Sequence, residues 1–242
     1  MIGSLRTTTA VVALFAAGGA LVPQGAAQPE AAADLILRGG TIYSGEAEPF
    51  RGDVAIRGDR ITYVGPKAPG TATRTIDATG LIVAPGFIDP HTHVGEALAS
   101  SDPAARLVLP FLTQGVTTAF IGVDGGGDPD IARTFGTAKA EAGGEGEAGL
   151  GQSTRDFGIN FAAFVGLGAV RSKVIGAADR APTPAELGQM TGLVDKAMCD
   201  GALGLSTGLF YAPQSFAKRD EVVALAKAAA AEGGIYDSDL PG

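Results

Sequence analysis

The sequence predicts an α/β protein, a partial (β/α) barrel of about five units preceded by a small β-sandwich-like domain. Residues 34–84 consist of short apolar runs separated by Gly, Pro and Asp turns, which is typical of a small β domain. After residue 85, apolar runs recur at intervals of about 30 to 45 residues with helical stretches between most of them, the pattern of parallel βα units. A closed eight-stranded barrel takes about 250 residues, so we expect residues 85–242 to hold part of one.

The amino terminus has the composition of a signal peptide. Arg6 precedes an apolar run over residues 10–17, and Ala27 ends a segment of small residues. Because this run is shorter than the roughly 20 residues that a membrane-spanning helix needs, we expect residues 1–27 to be removed after Ala27. The alternative is an uncleaved amphipathic or membrane anchor. Cleavage predicts an exported protein, periplasmic or secreted, that is not attached to a membrane.

Residues 28–84 are expected to form the small β domain, which is incomplete as it stands. Gly39-Gly40 is predicted to be a turn between its first two strands. The predicted strands cover residues 35–37, 41–43, 54–56, 61–64, 75–76 and 81–83.

Residues 85–242 are expected to form the barrel, truncated after the fifth strand. One helix is predicted to begin at Thr183, which forms a capping box with Glu186, and to end near Gly201. A second helix is predicted to begin near Asp220. The predicted strands cover residues 86–93, 116–121, 159–165, 202–207 and 234–236.

Charge and cysteine content narrow the possible partners. The chain has 18 Lys and Arg residues against 26 Asp and Glu residues, a net charge of -8 at pH 7. There is therefore no basic surface to hold a phosphate backbone, and we expect no nucleic-acid partner. The single cysteine, Cys199, can form no internal disulfide, and its neighbours Ala197 and Met198 predict a buried thiol.

Both histidines of the chain, His91 and His93, lie at the end of the first apolar run of the barrel region. Residues two apart on a strand point to the same side, so Asp89, His91 and His93 are predicted to share one face. Two imidazoles so placed can bind one divalent metal ion, and catalytic groups collect at the carboxyl ends of barrel strands. The alternative is a surface histidine pair without a function.

Asp124 follows the second predicted barrel strand and is flanked by Val123 and Gly125. It emerges at the same end of the barrel as the two histidines, where a carboxylate can join them on one metal or bridge two metals. An aspartate beside a glycine is also an ordinary turn residue. Both interpretations of Asp124 remain open.

Three glycine-containing motifs point to other activities, and each lacks a required residue. Residues 204–208, GLSTG, fit the nucleophile elbow of serine hydrolases, but no histidine follows them in the chain. Residues 166–168, GLG, begin a dinucleotide-binding fingerprint, but Arg171 takes the place of its third glycine. Residues 125–127, GGG, lack the Gly-Lys-Ser/Thr ending of a phosphate-binding loop.

Two longer segments resemble a known family. The run APGFIDPHTH at residues 84–93, after a small β domain, resembles the amidohydrolase superfamily. Thr117-Thr118 with Gly122, and above all the run GALGLSTGLFYAP at residues 201–213, resemble its D-aminoacylase (N-acyl-D-amino-acid deacylase) branch. The likeness extends from Asp34 onward. The His-x-His motif alone would also fit dihydroorotases and hydantoinases.

The resemblance implies a metal-dependent hydrolase that uses one or two Zn²⁺ ions to cleave carbon–nitrogen amide bonds other than peptide bonds in small N-acyl amino acids. It implies that His91 and His93 are metal ligands. Asp124 stands where the family has a metal-binding cysteine, and Asp239 stands where it has a metal-binding histidine at the end of the fifth strand. The resemblance therefore implies Asp124 and Asp239 as further, oxygen metal ligands, the alternative for Asp239 being a lost ligand site. Tyr211 falls where this branch has a tyrosine near the substrate.

No general acid or base is identified in this chain, because the resemblance places the family's general acid/base, an aspartate of the eighth strand, beyond residue 242. The family's sixth-strand histidine has no counterpart for the same reason. We therefore expect the amino-terminal portion of such an enzyme, weakly active or inactive by itself. Open sheet edges predict self-association. Two alternatives remain: a degenerate, non-catalytic chain that binds metal, and a hydrolase of cyclic amides of the dihydroorotase or hydantoinase type.

Overall fold

The computed structural model describes residues 33–136 and 157–239. The chain divides into two compact units, Met1–Ala84 and Pro85–Gly242. The predicted signal peptide, residues 1–27, lies outside the described residues. None of the helices in the described ranges combines the length and the apolar character that a membrane-spanning segment requires.

The described part of the first unit is built on a five-stranded sheet. Its strands are β1 (Ala33–Ile42), β2 (Phe50–Arg57), β3 (Arg60–Gly65), β4 (Ala72–Asp77) and β5 (Ile82–Val83). β1 pairs antiparallel with β2 and parallel with β4 and β5, and β3 pairs antiparallel with β2. Ile36, Ala55 and Ala68 are buried in its core. The second layer of a sandwich stays a prediction.

The predicted turn at Gly39-Gly40 is wrong, because β1 continues through both glycines as one strand. Its pairing with β2 shifts register between Leu37 and Gly40. Gly39 has a φ of +71°, and a Cβ on Gly40 would collide with the side chain of Val83. The glycine pair therefore forms an irregularity within one strand, where backbone freedom and close approach are both needed.

The strands of the second unit are parallel. They are β6 (Phe87–Asp89), β7 (Val116–Ile121), β8 (Asn160–Ala163), β9 (Val165–Gly166), β10 (Gly204–Gly208) and β11 (Ile235–Asp239). Over the described residues, β6, β7 and β8 form one sheet in that order, and β9, β10 and β11 form another. Phe164 alone separates β8 from β9. The α/β class is confirmed, and the closure of these strands into part of a barrel stays a prediction.

The helices of the second unit are α1 (Gly95–Ala99), α2 (Pro103–Arg106), α3 (Leu109–Leu112), α4 (Ile131–Thr134), α5 (Leu167–Ile175), α6 (Pro184–Cys199) and α7 (Arg219–Ala231). The capping box predicted for α6 is confirmed. The Thr183 Oγ1 accepts a hydrogen bond from the Glu186 backbone N–H at 3.3 Å, and the Thr183 N–H donates to Glu186 Oε2 at 2.7 Å. α7 confirms the helix predicted to begin near Asp220.

Helices and strands of the second unit share an apolar core. Its most deeply buried side chains include Leu98, Ile131, Leu167, Val170, Met190, Val194, Leu205 and Leu225. The prediction of a buried Cys199 is wrong, since its side chain is exposed at the end of α6. Residues two apart on a helix face different directions, so burial of Ala197 in the core turns Cys199 away from it.

A buried ion pair joins α5 to α7. The Arg171 Nη1 donates to both carboxylate oxygens of Glu221, at 2.5 and 2.6 Å. The Nη2 of the same guanidinium donates to the backbone oxygens of Ala178 and Arg180. The arginine that replaces the third glycine of a dinucleotide fingerprint therefore ties two helices together.

Candidate metal centre

Both histidines lie just beyond β6, so the prediction that they lie on the strand is wrong. Pro90 has no N–H to continue the ladder, and β6 ends at Asp89. The Asp89 Oδ1 accepts a hydrogen bond from the His91 backbone N–H at 3.2 Å. Thr92 is buried, and its Oγ1 donates to the backbone oxygen of Phe120 at 2.7 Å. These contacts hold the histidine segment against β7.

The fold brings His91, His93 and Asp124 together. The Nε2 of His91 lies 3.2 Å from Oδ1 of Asp124, and the Nε2 of His93 lies 3.2 Å from Oδ2 of the same carboxylate. One ligand atom from each residue lies within 4.8 Å of the other two. Zinc bonds to histidine nitrogen and carboxylate oxygen at about 2.0–2.2 Å, which places neighbouring ligands of a tetrahedral site about 3.3 Å apart. The observed spacing therefore fits one divalent ion.

Asp124 is the least exposed member of this group. Its side chain is 17% exposed, against 41% for His91 and 75% for His93. Within the part of the chain that the structure describes, Asp124 Oδ1 is buried and has no hydrogen-bond partner. A buried carboxylate oxygen without a partner is unfavourable, and a cation would satisfy it. Two imidazoles and this orphaned oxygen fit a bound divalent metal.

Asp124 reaches this position through an unusual backbone conformation. Its φ is +56°, in the left-handed region that L side chains rarely adopt. Aspartate is one of the non-glycine residues that tolerate this region best. Gly122 and Gly125, which also have positive φ, stand on either side of it. The sharp turn directly after β7 thus aims a carboxylate at the two histidines.

Ser206, the central residue of the GLSTG motif, secures the Asp124 loop. Its side chain is fully buried on β10. The Ser206 Oγ donates to the backbone oxygen of Gly122 at 2.5 Å and accepts from the backbone N–H of Gly125 at 3.1 Å. The serine of the nucleophile-like motif therefore makes hydrogen bonds to the residues Gly122 and Gly125, which lie before and after Asp124.

Gln214 holds the same loop from another direction, and the sequence analysis missed it. Its buried side-chain amide donates from Nε2 to the backbone oxygen of Asp124 at 2.6 Å, and its Oε1 accepts from the Gly208 N–H at 2.9 Å. Gln214 thereby connects the Asp124 loop to the end of β10. The sequence signal that could have identified Gln214 is its position, because it is a polar residue a few positions after β10, whose end faces the site.

Close backbone contacts explain the two remaining glycine motifs. A Cβ on Gly127 would collide with the backbone oxygen of Phe164, and a Cβ on Gly166 would collide with that of Gly125. The segment that carries Asp124 therefore lies directly against β9. The glycines of both motifs provide the space for this contact.

Tyr211 and Asp239 lie outside the group of three. Tyr211 follows β10 with its side chain about half exposed, and a Cβ on Gly208 would meet its ring at 2.9 Å. Asp239 ends β11, and its role as a ligand stays a prediction. Asp237, which the sequence analysis did not select, faces the group instead, with Oδ2 lying 3.7 Å from Nδ1 of His91.

Comparisons with known proteins identify the family to which this chain is similar. A family model described as the amidohydrolase family matches residues 74–236. D-aminoacylase from Alcaligenes xylosoxydans xylosoxydans is 35% identical over 217 residues, which is 86% of this chain and 44% of that protein. The chain thus spans less than half the length of this relative.

Two solved structures are similar in fold. N-acyl-D-glutamate deacylase from Bordetella bronchiseptica, complexed with zinc and a phosphonate inhibitor, is 31% identical with a TM-score of 0.72, over 85% of this chain and 44% of that one. A structure of D-aminoacylase from a study of its binuclear metal centre is 34% identical with a TM-score of 0.68. The match covers 84% of this chain and 44% of that one.

The family match encloses the residues that the fold brings together. His91, His93 and Asp124 all lie between residues 74 and 236. The mixed α/β fold resembles that of the solved deacylases. These findings confirm the resemblance noted in the sequence, and the chain belongs to the amidohydrolase family.

Proposed function

We propose that this chain carries the metal centre of a hydrolase that cleaves the amide bond of N-acyl-D-amino acids. The observation that carries the proposal is the convergence of His91, His93 and Asp124, with ligand atoms within 4.8 Å of one another. The similarity to D-aminoacylase and to N-acyl-D-glutamate deacylase supports the substrate class.

Zinc is the ion that we propose for this centre. Imidazole nitrogens and a carboxylate oxygen are ligands that zinc accepts, and three protein ligands are typical of a catalytic zinc site. The Bordetella relative is complexed with zinc, which supports this choice. The binuclear centre of the D-aminoacylase structure supports a proposal of up to two ions.

Each residue of the site has a separate task. When bound, the metal ion would supply a Lewis acid for the amide carbonyl and lower the pKa of a water molecule. His91 and His93 would hold the ion as neutral donors, and Asp124 would add a negative charge. The half-exposed ring of Tyr211, next to Gly208, would border the substrate.

Zinc binding and amide hydrolysis test the proposal together. The purified chain, loaded with zinc, is assayed for release of free amino acid from N-acetyl-D-methionine and from its L enantiomer. We expect weak release from the D compound, lost on chelation, and tight binding of a D-configured phosphonate analogue. The double variant His91→Ala/His93→Ala should lose zinc, release and analogue binding.

Two results would contradict the proposal. Failure of the wild-type chain to bind zinc would remove the metal centre. Zinc binding without either hydrolysis or binding of the phosphonate analogue would favour the degenerate, non-catalytic chain.

We also propose that the protein is exported and then works free of a membrane. The composition of residues 1–27, with Arg6 before an apolar run, supports this. Mass spectrometry of the protein from the periplasm or the medium should find an amino terminus at Gln28. Protein that remains in the cell with Arg6 intact would contradict export by cleavage.

A further inference from the structure

His91 has a carboxylate on each side of its ring. Its Nε2 lies 3.2 Å from Asp124 Oδ1, and its Nδ1 lies 3.7 Å from Asp237 Oδ2. The Nε2 side faces the proposed metal, together with His93. The Nδ1 side faces β11. The two nitrogens of this ring therefore have different surroundings and can have different tasks.

The oxygen of Asp237 that faces His91 is buried. Over residues 33–136 and 157–239, Asp237 Oδ2 has no hydrogen-bond partner. A buried carboxylate oxygen is costly when no donor reaches it. The Nδ1 of His91 is the ring nitrogen that faces this oxygen, and a small movement of either side chain would bring them to hydrogen-bond distance.

Metal binding through Nε2 determines which nitrogen of His91 carries the proton. A neutral imidazole has one N–H, and the nitrogen that binds a metal must offer its lone pair. The proton then lies on Nδ1, where it needs an acceptor. Metal-bound histidines almost always donate this second N–H to a carboxylate, a backbone carbonyl or water.

The register of the sheet places Asp237 beside Ser206, the residue that holds the Asp124 loop. Asp237 pairs with Ser206 of β10 in the parallel ladder. Ser206 in turn holds the loop of Asp124 through its contacts with Gly122 and Gly125. The paired residues Ser206 and Asp237 therefore relate to both carboxylates that flank His91, since Ser206 holds the Asp124 loop and Asp237 is itself the second carboxylate.

We propose that Asp237 is a positioning residue for His91. Its Oδ2 accepts the Nδ1–H of His91, selects the tautomer whose Nε2 binds the metal, and fixes the plane of the ring. This inference rests on the proposed function, because it requires His91 to be a metal ligand. It assigns to Asp237 a task different from the ligand role predicted for Asp239.

Zinc affinity measured by competition with a chromophoric chelator tests this role. We expect Asp237→Ala to weaken zinc binding about 10- to 100-fold and the isosteric Asp237→Asn to weaken it less, since a neutral amide oxygen still accepts. Asp195→Asn, which changes an exposed carboxylate on α6, should leave affinity unchanged. Far-UV circular dichroism checks that each variant is folded.

A double-mutant cycle separates positioning from general support of the fold. If Asp237 acts through His91, then Asp237→Ala should cost little further zinc affinity in a His91→Ala background. A purely structural role would cost the same in both backgrounds, and that result would overturn the proposal.

The proton itself can be observed because the chain has only two histidines. In zinc-loaded protein labelled with ¹⁵N-histidine, we expect a slowly exchanging Nδ1–H signal from His91, whereas the N–H of the more exposed His93 ring exchanges quickly. Asp237→Ala should abolish the His91 signal. Persistence of that signal in Asp237→Ala would overturn the inference while leaving the proposed function intact. Failure of the wild-type chain to bind zinc would overturn both.

Discussion

At the scale of single residues, Asp124 combines a carboxylate that faces both imidazoles with an unfavourable backbone conformation. Its carboxylate lies 3.2 Å from each imidazole, while its φ of +56° belongs to a region that favours glycine. Strained positions of this kind persist where the surrounding structure determines them, and they cluster at functional sites. The contacts of Ser206 and Gln214 with this loop supply that determination here.

Replacing Asp124 by glycine or by alanine removes the same carboxylate and separates its two contributions. Both variants should lose zinc affinity to a similar extent, because both lack the oxygen that we propose as a ligand. Only alanine keeps a Cβ at positive φ, so we expect Asp124→Gly to be about 1 kcal/mol more stable than Asp124→Ala. Urea denaturation of the metal-free proteins measures this difference. Equal stabilities would argue against strain at this position.

Gln214→Ala should weaken both the fold and the proposed metal site. It leaves the Asp124 carbonyl and the Gly208 N–H without their buried partner, which costs about 1–3 kcal/mol. The loosened loop should also lower zinc affinity. Gln114→Ala, at an exposed position, is the matched control. A Gln214→Ala protein that loses stability but binds zinc normally would show that this amide supports the fold alone.

At the scale of elements, α6 carries a charged structure at its amino terminus. The Arg180 guanidinium donates to both carboxylate oxygens of Glu186, at 2.7 and 2.6 Å. Hydrogen bonds from Arg180, and from the Thr183 backbone N–H, lower the pKa of Glu186 from 4.5 to about 2. The positive end of the helix dipole also stabilises a carboxylate near the amino terminus of a helix.

This lowered pKa predicts a defined pH dependence of stability. Because the pKa of Glu186 is lower in the folded state, its stabilising contribution is complete above about pH 4.5 and is lost as the pH falls towards 2. Glu186→Gln should therefore lower the urea midpoint more at pH 6 than at pH 3. Glu232→Gln, exposed at the end of α7, is the control. An equal deficit at both pH values would contradict this assignment.

Elements with local signals could be predicted from the sequence. Thr183 and Glu186 define the start of α6 by contacts three residues apart, and the apolar run at residues 116–121 coincides with β7. The histidine segment could be assigned to the correct strand end, but not placed beyond the strand. That detail depends on how Pro90 interrupts pairing with a neighbour that is distant in sequence.

Contacts across long separations explain what the sequence analysis missed. Arg171 and Glu221 are 50 residues apart, and nothing local marks them as a buried pair. Gln214 meets the Asp124 carbonyl across 90 residues. Asp237 faces His91 only because β11 pairs with β10 in one particular register. Neither composition nor periodicity specifies such pairings.

At the scale of the whole molecule, metal binding should be linked to folding. A ligand that binds only the native state stabilises it by about 2.7 kcal/mol at a free concentration 100 times its Kd. We expect this increase in the free energy of unfolding with zinc, and its reversal by a chelator. Thermal or urea denaturation measures it. If the double variant His91→Ala/His93→Ala showed the same increase in the free energy of unfolding, zinc would be binding at another site.

The molecule should also self-associate through β11. Within the described residues, this strand pairs with β10 alone, and its Ile235 side chain is about half exposed. A lysine on an exposed strand edge discourages pairing between chains, so Ile235→Lys should shift sedimentation towards monomer. Val223→Lys, at an exposed apolar position on α7, is the control. Monomeric wild-type protein at high concentration would contradict the prediction.

The close contact of Gly127 and Gly166 with neighbouring backbone has a consequence for how the molecule tolerates change. In a saturation library selected for metal retention, both positions should return glycine alone, since even one methyl group would push the Asp124 turn away from β9. Gly188, which has open space around it on α6, should accept alanine freely. Two of the positions that tolerate the fewest substitutions near this site would then be residues without a side chain. The space available there, and not side-chain chemistry, would exclude every other residue.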